Sequence, residues 1–263
     1  MEAGDTCTLQ RCKTENCFFD TYLDGTLASD ATVIVEIGAQ DVNGSLREVA
    51  PQGARYIGVD FVVGKGVDVV LTDPYSLPFD SESVDVVVTS SCLEHSEMFW
   101  LSFNECLRVL KPSGLLFINV PSNGAFHRYP VDCWRFYPDA GSALVTWAKR
   151  QGMNPALLES FVTAQHADIW NDFLAVFVKD QHQVDRHPNR MIKAAGAFEN
   201  GKVFGSDKIF AFTEMPEDIR RLNDAVRQLA GLEGRESVVK DVLEKLLAFT
   251  NEQSLPVDGV GSA

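Results

Sequence analysis

Long apolar runs are missing from this sequence, and none approaches the roughly 20 residues that a membrane-spanning helix requires. The opening residues, Met1-Glu2-Ala3-Gly4-Asp5, lack the basic start and apolar stretch of a secretory signal. A cytoplasmic protein with no membrane partner is therefore expected. Basic residues are also scarce: 23 stand against 37 acidic ones, a net charge of −14. Such a field repels phosphate backbones and disfavours nucleic acid as a partner. The two modest basic clusters, Lys149-Arg150 and Arg186 to Lys193, have no interleaved aromatics. Among the six cysteines, Cys7, Cys12 and Cys17 recur every five residues, but the fourth ligand of a structural zinc site is not evident, so no metal is expected there. No internal repeat is present.

What the sequence does contain is a succession of short apolar runs ending in turn signals, the mark of buried parallel strands. They are Thr32 to Gly38, Arg55 to Asp60, Val67 to Leu71, Val84 to Thr89 and Leu115 to Val120. Helical spacing of Phe99, Phe103, Cys106, Leu107 and Leu110 predicts a helix from about Met98 to Leu110, ended by Lys111-Pro112-Ser113-Gly114. Further helices are expected over Asn43 to Ala50 and Pro138 to Gln151, and two late strands near Ala156 to Phe161 and Phe173 to Val178 as a closing antiparallel hairpin. Strands alternating with helices imply an α/β fold, a mainly parallel sheet with helices on both faces. Residues 1–30 read as a polar, irregular leader, 31–180 as the sheet domain, 181–250 as a lid and helical hairpin extension, and 251–263 as a disordered tail. The hairpin seams are Ile219, Leu222, Val226, Leu229 and Val239, Val242, Leu246, Phe249. Three uses of those helices are open: packing on the core, covering the active site, or pairing two subunits as a homodimer.

In an open parallel sheet, ligands bind at the carboxyl ends of the strands where the strand order reverses. The first strand ends in Glu36-Ile37-Gly38-Ala39-Gln40, the second in Asp60, the third in Thr72-Asp73-Pro74, and the fourth in Ser90-Ser91-Cys92-Leu93-Glu94-His95. A carboxylate such as Asp60 is suited to accept from both hydroxyls of a ribose, and Asp73 from an exocyclic amine of adenine. A nicotinamide enzyme is disfavoured, because Gly38-Ala39-Gln40 is not the G-x-G that presents N–H groups to a pyrophosphate.

Glu36-x-Gly38, Asp60, Asp73 with Leu77-Pro78-Phe79, Leu93-Glu94-His95 and Arg108 to Gly114, taken in that order, resemble the class I, Rossmann-like S-adenosyl-L-methionine-dependent methyltransferase superfamily, small-molecule type. The resemblance covers about residues 32–150, loosely to 180, and implies a seven-stranded sheet. It further implies that Glu36, Gly38, Ala39 and Gln40 hold the methionine end of the cofactor. Asp60 would take the ribose, with Phe61 beside the adenine, Asp73 and Pro74 at the adenine, and Ser90 and Ser91 near the sulfonium. The chain departs from the family where Gln40 and Val42 replace common glycines, and Pro74 offers no N–H.

After the fifth strand, Pro121 to Tyr137 gathers a histidine, an aspartate, two arginines and five aromatics at the functional edge. His127 is the first candidate for a base acting on a hydroxyl, with Asp132 orienting it, and His95 the second. Asn123, Arg128, Asp132, Trp134 and Arg135 are candidate substrate contacts. A metal-dependent variant would need clustered carboxylates, which His127 and Asp132 alone do not supply, so no metal is expected at this edge either. The expected activity is methyl transfer to a small-molecule acceptor, a hydroxyl of a sugar or secondary metabolite. RNA or protein methylation, or a degenerate fold serving as a binding subunit, remain open.

Overall fold

The computed structural model describes residues 17–23, 32–42, 44–165, 170–214 and 220. By its internal contacts the chain divides into residues 1–213 and 214–263. The helical hairpin expected within the second unit, and the tail after it, lie outside the described residues, as do Cys7 and Cys12.

Among the described residues of the first unit are β1 (Val33–Ile37), β2 (Arg55–Asp60), β3 (Val69–Val70), β4 (Val84–Ser90), α1 (Phe99–Val109), β5 (Leu110–Pro121), α2 (Ala140–Arg150), β6 (Ala156–Thr163), β7 (Asp172–Val178) and β8 (Phe198–Val203). All eight strands join one sheet in the order β3-β2-β1-β4-β5-β7-β6-β8. Strands β1 to β5 run parallel, while the β6–β7 hairpin closes the sheet antiparallel to β5. The order reverses between β1 and β4, which locates the switch point.

The period-2 alternation of a strand splits the core into two layers. Val35, Ile37, Val87, Leu116, Ile118, Phe173 and Phe177 face α1 and α2, meeting Phe103, Leu107, Leu144 and Ala148. Ile34, Val86, Val88, Phe117, Leu174 and Val176 face the other way, toward Phe18, Tyr22 and Met191. The second layer corrects the reading of the leader as irregular: residues 17–22 are helical, and Phe18 is 0% exposed, stacked on Phe117 with ring centroids 4.7 Å apart. Full burial of such a side chain is worth about 1.5–3 kcal/mol.

Other expectations also change. The sheet has eight strands, because Phe198–Val203 adds antiparallel to β6 at one edge. The helix expected over Asn43 to Ala50 shrinks to a 3-10 turn, Leu46–Val49, which Ser45 caps by accepting the Arg47 N–H. Pro51 favours the extended conformation found at Ala50 and so stops it after one turn. Lys111 to Gly114 do not separate helix from strand: β5 begins at Leu110, paired with Val84, and a register shift between Val84 and Val86 absorbs them. Among the described residues no helix is long and apolar enough to cross a membrane.

Candidate active site

Register brings the strand tips to one level. Ile37 pairs with Val59 on one side and Thr89 on the other, so the next residues, Gly38, Asp60 and Ser90, end three neighbouring strands together. They open into a cavity of about 1080 Å³. Glu36, Gly38, Ala39, Gln40, Asp60, Phe61, Pro74, Ser90 and Ser91, nine of the ten positions expected at a cofactor, all line it. Asp73 does not line the cavity; its carboxylate accepts the Tyr75 N–H at 2.9 Å and shapes the turn, leaving the wall to Thr72 and Pro74.

Gly38 is required twice over. Its φ of +77° is in the region L side chains avoid, and a Cβ there would lie 2.6 Å from both Cβ and Sγ of Cys92. The glycine-poor loop after it is accommodated by glycines on its neighbour. A Cβ on Gly66 would meet the Ala39 carbonyl oxygen at 2.5 Å, and one on Gly64 would meet Gln40 Cγ at 2.9 Å. Lys65 adds an ion pair with Asp41 at 2.5 Å. The room this loop needs is provided by the segment beside it.

Asp60 is buried, yet among the described residues its two oxygens accept only backbone N–H groups, from Val62 at 3.1 Å and Gln40 at 3.3 Å. Phe61 stands half-exposed at the wall. Glu36 is 6% exposed and accepts the Tyr56 hydroxyl at 2.9 Å. Burial pushes its carboxyl up to about 7, against the lowering influence of Tyr56 and Arg47. Burial likewise pushes the Cys92 thiol up to about 12, so this cysteine is a packing group rather than a nucleophile. Ser91 holds φ +47°, a strained value for a non-glycine residue, where β4 leaves the sheet.

The far end of the cavity is made by Glu94, His95, His127, Arg128 and Trp170. His95 Nδ1 lies 2.5 Å from the Val131 carbonyl, which it serves as donor. Desolvation lowers the pKa of His95 from its ordinary value, despite that bond. The rings of His95 and His127 meet edge to face, centroids 4.9 Å apart, and Trp170 stands 5.1 Å beyond His127. Gly124 makes room for Trp170, whose ring a Cβ would overlap at 1.9 Å. Asp132, with its side chain 2% exposed, is gripped by Arg135 at 2.6 and 2.9 Å and by the His127 N–H at 2.7 Å. The guanidinium beside it holds its carboxyl well below the usual carboxylate range.

Of the five expected substrate contacts, only Arg128 lines the cavity. Asp132 and Arg135 brace the loop behind it, Asn123 accepts the Asn171 N–H at 2.6 Å, and Trp134 donates to the Ser96 carbonyl at 2.9 Å. Both candidate bases do line it. Glu94 and Trp170 were not among the predicted site residues. Glu94 was visible beside His95 as a carboxylate at a strand exit, whereas Trp170 comes from a distant segment with no local signal.

Residues 35–118 match the family described as methyltransferase domain. An uncharacterized methyltransferase, found in two strains of Mycobacterium leprae, is 35% identical over 81 residues, 27% of this chain. The chain spans about 30% of the length of these curated relatives. Two solved structures are similar at lower identity. A SAM-dependent methyltransferase from Aquifex aeolicus is 11% identical, with TM-score 0.41 over 64% of this chain and 97% of that one. A 1,6-didemethyltoxoflavin-N1-methyltransferase from Burkholderia thailandensis is 15% identical, with TM-score 0.43 over 66% and 91%. The matched residues, 35–118, lie across the strands that open the cavity, so the likeness to the methyltransferase domain falls on the part of the chain that builds this site.

Proposed function

We propose that this chain binds S-adenosyl-L-methionine at the strand tips and transfers its methyl group to a hydroxyl of a small molecule, a sugar or secondary metabolite. The observation that carries the reading is the convergence, in register, of Glu36, Gly38, Asp60 and Ser90 on one large cavity. The residues present fit the cofactor. The Ser90 hydroxyl lines the cavity and has no hydrogen-bond partner among the described residues. Asp60 has carboxylate lone pairs left for a ribose diol, and half-exposed Phe61 offers a face for a purine. Glu36, beside the Gly38 turn, suits the ammonium of the methionine end.

When bound, the cofactor supplies a methyl carbon activated by a positive sulfur. The chain's own share is then positioning and exclusion of water. His95, held by Val131 and kept neutral by burial, has Nε2 available to take a hydroxyl proton; His127 stands beside it for the same task. Arg128 offers a cation at the wall for a polar acceptor. Asp132 and Arg135 act through His127 by fixing its backbone.

Calorimetric titration with S-adenosyl-L-methionine tests the reading. Binding in the micromolar range is expected, and weakened binding in Asp60→Asn. No heat at millimolar cofactor would sink it.

A further inference from the structure

We infer that Glu94, His95 and His127 form a binding site for one divalent transition-metal ion at the acceptor end of the cavity. The role of such an ion rests on the cavity reading above; its binding does not. A ligand atom from each of the three lies within 4.8 Å of the others, and His95 Nε2 is 3.7 Å from Glu94 Oε1. Bonds of about 2.0–2.2 Å to a shared ion need donors somewhat closer than this, within reach of small side-chain rotations.

The atoms behind the donors point the same way. A metal-ligating histidine characteristically donates its other ring N–H to a carbonyl or carboxylate, which fixes the tautomer. His95 Nδ1 faces the Val131 carbonyl at 2.5 Å. His127 Nδ1 faces two acceptors, the Ala125 carbonyl at 3.3 Å and Asp132 Oδ2 at 3.4 Å, against one donor, Arg135, at 3.5 Å. For His95 this leaves the Nε2 lone pair, 3.7 Å from Glu94 Oε1, as the ligand atom. Glu94 is 1% exposed, and its carbonyl accepts the N–H groups of Cys133 and Trp134, tying the loop that carries His127 to the segment that carries the other two ligands.

Two imidazoles and one carboxylate suit zinc, iron(II), cobalt(II) or nickel(II) better than magnesium or calcium. Three protein ligands leave an open position, the pattern of a site that takes a further ligand. All three residues line the cavity, so that position suits an oxygen donor of the acceptor, a hydroxyl or carboxylate. With an ion bound, these ring nitrogens are ligands rather than bases. The sequence pattern pairs His127 with Asp132 and leaves Glu94 aside, which is why no metal was expected.

The test is titration of the chelator-stripped, untagged full chain with Co²⁺ and Zn²⁺, followed by visible absorption and calorimetry. One ion per chain should bind with micromolar or tighter affinity. The Co²⁺ spectrum should show d–d bands without thiolate charge transfer, which separates this site from the cysteines. Glu94→Gln and His127→Ala, each checked for an unchanged metal-free melting temperature, should weaken binding by at least ~tenfold; His182→Ala should not. Lack of saturable binding up to about 1 mM, or wild-type affinity in both variants, overturns the proposal. Lost metal binding with intact S-adenosylmethionine binding removes this inference alone. Metal binding retained without cofactor binding supports it and removes the transferase reading.

Discussion

The two ends of the cavity are built by different means. At the strand tips, Gly38, Asp60 and Ser90 are placed by the parallel ladder, and the groups there are held by backbone and by close packing. At the other end, His127 sits on a loop whose shape depends on one enclosed ion pair, Asp132 with Arg135, and on a glycine that admits Trp170. A ladder fixes position without needing charge, so its polar groups stay available to a ligand. A loop must spend charged groups on its own shape, and the residues that look most chemical there are partly structural. Substitutions at the tips should therefore be read in cofactor binding, and those in the loop in stability.

Gly38→Ala should break the first end most severely. Left-handed φ costs about 1–3 kcal/mol and the overlap with Cys92 a similar amount, so urea unfolding should show a loss of ~2–6 kcal/mol together with loss of cofactor binding. Asp132→Asn should break the second end. Freeing Arg135 beside an enclosed neutral amide should cost about 2–4 kcal/mol by urea unfolding while leaving cofactor affinity within about twofold. Cofactor affinity falling in step with stability would abolish the distinction between the ends.

Asp60→Asn sharpens the comparison from the other side: calorimetry should show cofactor binding weakened ~30-fold, about 2 kcal/mol, with a smaller change in melting temperature. The smallest effect is pH-linked. Glu36 titrates near 7 rather than at its ordinary 4.5, so stability of the free chain falls as pH rises from 4.5 to about 7, where the unfolded carboxyl ionises and the folded one resists. A cofactor ammonium favours ionised Glu36, so binding should release a proton and weaken about tenfold between pH 8 and pH 6. Calorimetry in buffers of different ionisation enthalpy checks both, and Glu36→Gln should flatten the profile.

The strands were legible wherever β-branched runs ended at a turn, as in Val33–Ile37 and Val84–Ser90. Strand β8 was not, because Phe-Glu-Asn-Gly-Lys-Val carries Asn-Gly at its centre, with Asn200 at φ +51°, and takes strand form only as the edge partner of β6. The helix at residues 17–22 was hidden by the polar residues around it; only its packing on Phe117 shows it to be core. The strand-tip site was readable because each residue announces itself by position in a run. The other end of the cavity was readable as a collection of residue types but not as geometry. Whether Arg135 faces a ligand or Asp132, and whether Asp73 faces the cavity or Tyr75, depends on loop conformations that no periodicity encodes.

The most direct measurement is a crystal structure of the full chain soaked or co-crystallised with S-adenosylhomocysteine. The expected density has ribose hydroxyls on Asp60, the purine against Phe61, the amino-acid end at Glu36 and Gly38, and the sulfur directed toward His95 and His127. Density for the ligand elsewhere, or a ribose that leaves Asp60 bonded only to Val62 and Gln40, would contradict it.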